Sequence, residues 1–288
     1  MKTIFIATDF SEYAQRAADF AVDLASYMGC SIVLFHAYEV PLSIPDSFVL
    51  VEPEEVRKTA ESYLLEESNR LRKSPLQPIE IIAVEGAPVP TILDQVKKYK
   101  EPLIVVGRTG MGGMLKNWFG TTASGLAKKT SLPVLLIPES IPFKPFQNAM
   151  LAAEIDIETP LDGISPLIDL CSRCHTNLDV VRVLKPYVNF VAELSYRSSR
   201  LAGRLNGLNW NYAFPRGEDV FETLNEYALS NEVDLLAVIP QHHSFLDRIF
   251  NKSESKMLIR HTHIPLLLLP ENTAYQKMPT PKLQEQQS

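Results

Sequence analysis

Residues 103–122 read LIVVGRTGMGGMLKNWFGTT, and this stretch holds five of the 12 glycines in a chain of 288 residues. Leu103–Val106 is a short apolar run of the kind that forms a strand covered on both faces. Gly107, Gly110, Gly112, Gly113 and Gly120 follow it, and Thr121-Thr122 opens a helical pattern. Two readings compete. One is a plain surface loop. The other is a backbone shaped around phosphate, because glycine reaches φ > 0 without penalty and brings main-chain N–H groups close to an anion. The free N–H groups and positive dipole end of a following helix suit the same ligand. The better-known phosphate motifs are absent, since no G-x4-G-K-[ST] occurs and Gly110-Met111-Gly112 lacks the third glycine of a dinucleotide fingerprint.

Working outward, the same strand–loop–helix unit recurs. Ile4–Ala7 is a strand ending in Thr8-Asp9-Phe10-Ser11, and the Ala14, Ala17, Ala18, Ala21, Leu24 spacing predicts a helix that Gly29 stops. Ser31–Tyr38 is a second strand. A proline-marked connection, Pro41–Pro53, leads to a charged amphipathic helix over 54–73. Ile79–Val84 is a third strand, Gly86-Ala87-Pro88 introduces a helix over 91–99, and the glycine segment gives way to a helix over 118–130 and a fifth strand, Pro133–Ile137. Strands alternating with helices predict a parallel α/β sheet with right-handed crossovers.

Beyond the proline-rich PESIPFKP of 138–145 the plan repeats. Ala149–Ala153, 178–184, Trp210–Phe214, Leu235–Ile239 and Pro265–Leu269 read as strands, and 165–174, 191–205, 219–230 and 254–262 as helices. KKTSLPVLLIPE and IRHTHIPLLLLPE, which close the two halves, match in character. The fold class predicted is α/β, as two tandem five-stranded parallel-sheet domains with helices on both faces, over 1–140 and 146–271. A disordered tail, 272–288, follows. If Val134–Ile137 and Leu266–Leu269 lie at sheet edges, they are apolar enough to pair with each other, within the chain or between chains.

Composition narrows the function. A net charge of −6 and pI near 5.6 argue against a nucleic-acid partner. No run approaches the roughly 18 apolar residues of a membrane span, and the opening MKTIFIATDF is too short in apolar residues for a signal peptide. A cytoplasmic protein with reduced Cys30, Cys171 and Cys174 is expected. Cys171-Ser172-Arg173-Cys174-His175 fits the c-type haem attachment pattern, but no export signal accompanies it and it falls on the last turn of a helix. It is read as coincidence, with His175 capping the helix. A redox CxxC belongs at a helix N-terminus instead. His242, His243, His261 and His263 raise a zinc reading, which is set aside because the spacing is not i, i+4 and no cysteine joins them.

In an open parallel sheet, ligands bind beyond the carboxyl ends of neighbouring strands whose connections leave to opposite faces. If strands one and four are neighbours, Asp9 and Gly107 face each other across such a crevice. G-x2-G-x9-G-[ST] from Gly107 to Thr121, T-D-F-S from Thr8 to Ser11 and the Gly86-Ala87-Pro88 turn together resemble the ATP-binding type of universal stress protein. The resemblance spans about 270 residues as two copies, and it implies a UspA-like, Rossmann-like fold of the adenine nucleotide alpha hydrolase-like kind. It implies that ATP or another adenine nucleotide binds in the first copy, with or without Mg. By position, Ala7, Thr8 and Asp9 would line the nucleoside side, and Ala37 would meet adenine through its backbone. Val106, Gly107, Thr109 and Gly110 would wrap ribose and α-phosphate. Gly120, Thr121 and Thr122 would hold the outer phosphates, with Arg108 and Lys116 as optional charge.

The second copy departs from this pattern. Pro240 and His243 stand where the first has Gly107 and Gly110, Lys252-Ser253-Glu254 replaces Gly120-Thr121-Thr122, and Glu154 replaces Asp9. A glutamate at a helix start repels phosphate. The C-terminal half is therefore expected to be a degenerate pseudo-dimer partner of the first, with a homodimer of whole chains left open. No catalytic set stands out: there is no Ser-His-Asp order, no paired carboxylate and no metal-binding Asp after the glycine segment. A nucleotide-binding stress or signalling protein is the first expectation. A slow ATPase or nucleotide-dependent enzyme is the second, and a purely structural interaction module the third.

Overall fold

The computed structural model describes residues 1–40, 52–73, 77–107, 121–129, 131–138, 141–152, 161–186, 201–239 and 264–270. In the first half, strand β1 (Thr3–Ala7) leads to helix α1 (Glu12–Met28), then to β2 (Ser31–Tyr38) and α2 (Pro53–Leu71). Strand β3 (Ile79–Glu85), helix α3 (Pro88–Val96), β4 (Pro102–Gly107), α4 (Thr121–Lys129) and β5 (Val134–Ile137) complete it. The second half runs β6 (Asn148–Ala152), a short 3-10 turn (Asp162–Ile164), α5 (Ser165–Cys174), β7 (Asn177–Val181) and four helical residues at 201–204. After these come β8 (Asn209–Ala213), α6 (Val220–Ser230), β9 (Leu235–Val238) and β10 (Leu266–Leu268).

The ten strands among the described residues form one sheet, ordered β3-β2-β1-β4-β5-β10-β9-β6-β7-β8. Read outward from the middle, each half carries the same order, and every pairing within a half is parallel. The join is antiparallel: Leu266, Leu267 and Leu268 face Leu136, Leu135 and Val134. The two C-terminal strands thus pair within the chain. Instead of two separate sheets, each presenting an unpaired apolar edge, the halves share one.

Period two along the strands splits the core into two layers. Ile4, Ile6, Ile32, Leu34, Leu103 and Val105 face α1 and α2, while Leu151 and Val180 on the same side of the sheet face α5. Phe5, Val33, Phe35, Ile104 and Val106 face α3 and α4, and Met150 and Val238 face α6. Both faces are covered, which is why the strands read as continuous apolar runs.

Local chemistry sets the helix ends. Ser11 caps α1, its Oγ accepting from Ala14 N–H at 3.3 Å, and Gly29 closes the helix at φ 63°. In the second half His175 holds the equivalent left-handed position at φ 55°, its N–H donating to the Cys171 carbonyl. The helix expected over 91–99 starts three residues earlier, because Pro88 occupies its first turn, where a missing N–H costs nothing. It ends at Val96. Strand β7 ends at Val181, short of the expected 184, although Leu184 still bridges Arg216. The connection at 138–145 is anchored: Phe143 and Phe146 pack against Phe20, with ring centroids 5.3 and 6.3 Å away. The expected helix over 254–262, most of that over 191–205 and the tail lie outside the described residues. Among the described residues no helix is long and apolar enough to cross a membrane.

Candidate functional site

Strands β1 and β4 are neighbours, paired from Thr3↔Pro102 to Ile6↔Val105. The chain leaves β1 into α1 on one face of the sheet, and α4, which follows β4, lies on the other. A cleft therefore opens at their carboxyl ends. Eight residues singled out from sequence line it together. Ala7, Thr8 and Asp9 come from the end of β1, and Ala37 from β2. Val106 and Gly107 end β4, and Thr121 and Thr122 start α4. The other three, Thr109, Gly110 and Gly120, lie outside the described residues, as do Arg108 and Lys116.

The cleft contains about 670 Å³ of empty space, part of it open to solvent. Its floor is apolar. Phe35, Ile92 and Val106 are all buried beneath it. Its rim is polar, with Asp9, Ser11, Thr121 and Thr122. Asp9 is exposed and is the single acidic side chain among the described lining residues. Its Oδ1 accepts from Ser11 N–H at 3.0 Å and Ser11 Oγ at 2.5 Å, while no partner for Oδ2 is found among the described residues. Asp9 thus orders the start of α1 and still presents one carboxylate oxygen. Thr8 is gripped on both sides: its N–H donates to the Phe35 carbonyl at 2.9 Å, and its Oγ1 accepts from Phe10 N–H at 3.0 Å.

Gly107 has a packing reason to be glycine. A Cβ there would lie 2.5 Å from the Tyr13 carbonyl oxygen and 2.8 Å from its carbon. The first turn of α1 therefore rests directly on the end of β4, which brings Tyr13 and Ala14 into the lining. Sequence reasoning missed these two residues, along with Phe35, Pro88, Ile92 and Ala123. Phe35 was accessible through period two, since it shares a sheet face with Ala37; the rest depend on how helices dock. Gly86 takes φ 137° in the turn before α3, and its N–H donates to the Tyr38 carbonyl at 2.8 Å, which aims Pro88 and Ile92 at the cleft.

The other motifs play no part here. Cys171 and Cys174 are buried near the end of α5, and burial, reinforced by the Cys174 thiol, pushes the Cys171 thiol up to about 12. That suits a structural pair rather than a redox centre. His242, His243, His261 and His263 lie outside the described residues. Among the described residues no group of three or more His, Cys, Asp or Glu side chains is placed to hold a metal ion.

Comparison with known proteins agrees with this architecture. Residues 1–138 match the model of the universal stress protein family. A Thermus aquaticus protein named universal stress protein in QAH/OAS sulfhydrylase 3' region is 31% identical over 143 residues, covering 47% of this chain and 98% of the relative. A universal stress protein of Methanocaldococcus jannaschii is 26% identical over 140 residues, covering 47% of this chain and 81% of the relative. The crystal structure of a universal stress protein from Archaeoglobus fulgidus superposes with a TM-score of 0.71 at 16% identity, covering 94% of this chain and 98% of that one. Its likeness extends the fold across both halves. The chain belongs to the universal stress protein family.

Proposed function

We propose that the cleft between β1 and β4 binds ATP or another adenine nucleotide, with or without Mg, and that occupied and empty states of this cytoplasmic protein differ in conformation or partner choice during stress response or signalling. One observation supports this above all: eight residues chosen from sequence for nucleotide contact converge on one cleft with an apolar floor and a polar rim. The chemistry of the lining fits the ligand. Phe35, Ile92 and the Ala37 backbone suit a flat base, Asp9 suits sugar or base donors, and the α4 N-terminus with Thr121 and Thr122 suits phosphate. We read 1–140 as the nucleotide-binding domain and 146–271 as a degenerate domain that serves as its built-in partner.

A mass spectrum of ligand released from freshly purified protein tests this directly, with calorimetry using added ATP. Retained adenine nucleotide or saturable ATP binding is expected. If neither is found and ATP gives no thermal shift, a structural interaction module becomes the better account. Turnover is a separate question. Asp9 is the single carboxylate among the described lining residues, and Ser11 already engages one of its oxygens, so little phosphate release is expected. Steady release abolished by Gly120→Asp would instead establish an ATPase.

A further inference from the structure

His36 lies on β2 between Phe35 and Ala37, two residues that line the cleft, but alternation sends its ring to the opposite face of the sheet. There its Nδ1 sits 2.8 Å from the Thr8 carbonyl oxygen. A carbonyl only accepts, so Nδ1 carries the proton in this contact. The same ring packs against Phe10 at a tilt of 45°, with centroids 4.5 Å apart, and Phe10 holds a left-handed backbone at φ 61°. A non-glycine residue in that region needs a surrounding structure that fixes it. His36 therefore grips the Thr8–Phe10 turn at two points, from beneath the cleft.

The Thr8 contact changes the ladder. Strands β1 and β2 run parallel to Ala7↔Phe35, and Thr8 N–H still donates to the Phe35 carbonyl. Peptide groups along a strand address alternate neighbours, so the Ala37 N–H and C=O point the same way as those of Phe35, toward β1. One more step of regular pairing would send Ala37 N–H to the Thr8 carbonyl. Among the described residues that bond does not form, and the imidazole holds the carbonyl instead. Among the described residues, Ala37 is left with its N–H and C=O unpaired on the side that faces β1 and the cleft.

We infer that His36 is a positioning residue: by capturing the Thr8 carbonyl through Nδ1–H it stops the β1–β2 ladder one bond early and frees the Ala37 backbone for the edge of a ligand base. The benefit to binding rests on the nucleotide reading above, but the ladder geometry is testable without ligand. In nucleotide-free protein, amide exchange by NMR should be fast at Ala37, and nitrogen shifts should show His36 protonated at Nδ1. His36→Phe keeps a ring against Phe10 and removes the donor, so Ala37 exchange should slow at least about tenfold as its amide takes the vacated carbonyl. ATP binding should weaken about tenfold in the same variant. His36→Asn places a donor nitrogen the same number of bonds from Cβ and should restore fast exchange and ATP affinity to within about twofold of wild type, which a purely packing role would not do.

A protected Ala37 amide or an Nδ1-deprotonated ring in wild-type protein overturns the inference, even if His36→Phe fails to fold. Unchanged exchange in a folded His36→Phe, or no rescue by Asn, overturns it too. If the exchange pattern appears as expected while wild-type protein binds no adenine nucleotide, the ladder inference stands and the nucleotide assignment fails.

Discussion

Replacing Gly107 with alanine probes the contact that joins fold to site. The new Cβ would lie 2.5 Å from the Tyr13 carbonyl oxygen, 2.8 Å from its carbon and 3.1 Å from Ala14 nitrogen. All three are backbone atoms of the first turn of α1, so no rotamer change relieves the clash. Ordinary contact begins at 3.4 Å, so α1 and β4 must separate by 0.9 Å, in a core packed on both sides of the seam. Overpacking of this kind costs about 1–3 kcal/mol, and the upper end applies because backbone is struck. At about 2–4 °C per kcal/mol for a large domain, a loss of about 3 kcal/mol should lower the melting temperature by about 6–12 °C. The displaced turn carries Ser11, Tyr13 and Ala14 of the cleft lining, so ATP affinity should also drop about tenfold, on the scale of one lost hydrogen bond. Gly125→Ala is the matched control. Its Cβ would meet Val89 Cγ2 at 2.7 Å, but a side chain can turn away, and alanine in α4 recovers about 1 kcal/mol of helix propensity. That variant should stay within about 1 kcal/mol of wild type. Thermal melts and calorimetry on both decide the matter. A Gly107→Ala protein as stable as wild type with full ATP affinity, or a Gly125→Ala protein the worse of the two, would refute the argument.

Three further outcomes follow from other parts of the molecule. Leu267 is fully buried in the antiparallel join opposite Leu135, so Leu267→Ala should cost about 2–5 kcal/mol; urea unfolding should show one transition shifted as a whole, and two separate transitions would mean the halves do not share stability. Ser11→Ala removes the α1 cap and the hydroxyl bond to Asp9, and chemical denaturation should register a loss of about 1 kcal/mol. Burial raises the Cys171 thiol from 9.0 to about 12 in the folded chain. The native state therefore keeps a proton that the unfolded chain loses, and the corresponding stability is complete below pH 9 and declines above it, by about 1.4 kcal/mol per pH unit. Wild-type stability should fall more steeply than that of Cys171→Ala between pH 9 and 11, and equal slopes would count against a buried neutral thiol.

The order of elements was legible because the inner strands are largely apolar on both faces and many elements are bounded by glycine, proline or a cap. Ser11, Gly29 and Pro88 each act through their immediate neighbours, so sequence alone located them to within a few residues. The cleft at the carboxyl ends of β1 and β4 was anticipated only on the condition that the two strands are neighbours, a condition their parallel pairing meets. Tyr13 beneath Gly107, Ile92 in the floor and His36 under Thr8 were not readable, because each depends on how a helix or turn docks across the sheet rather than on any spacing along the chain. The direction of the join is of the same kind: the leucines of 266–268 announced an apolar edge, but only packing could decide that it meets 134–136 of the same chain, antiparallel. Local steric and hydrogen-bond preferences are written in a few adjacent residues. Partners a hundred positions apart are chosen by which surfaces exclude water together, and that choice exists only in the folded molecule.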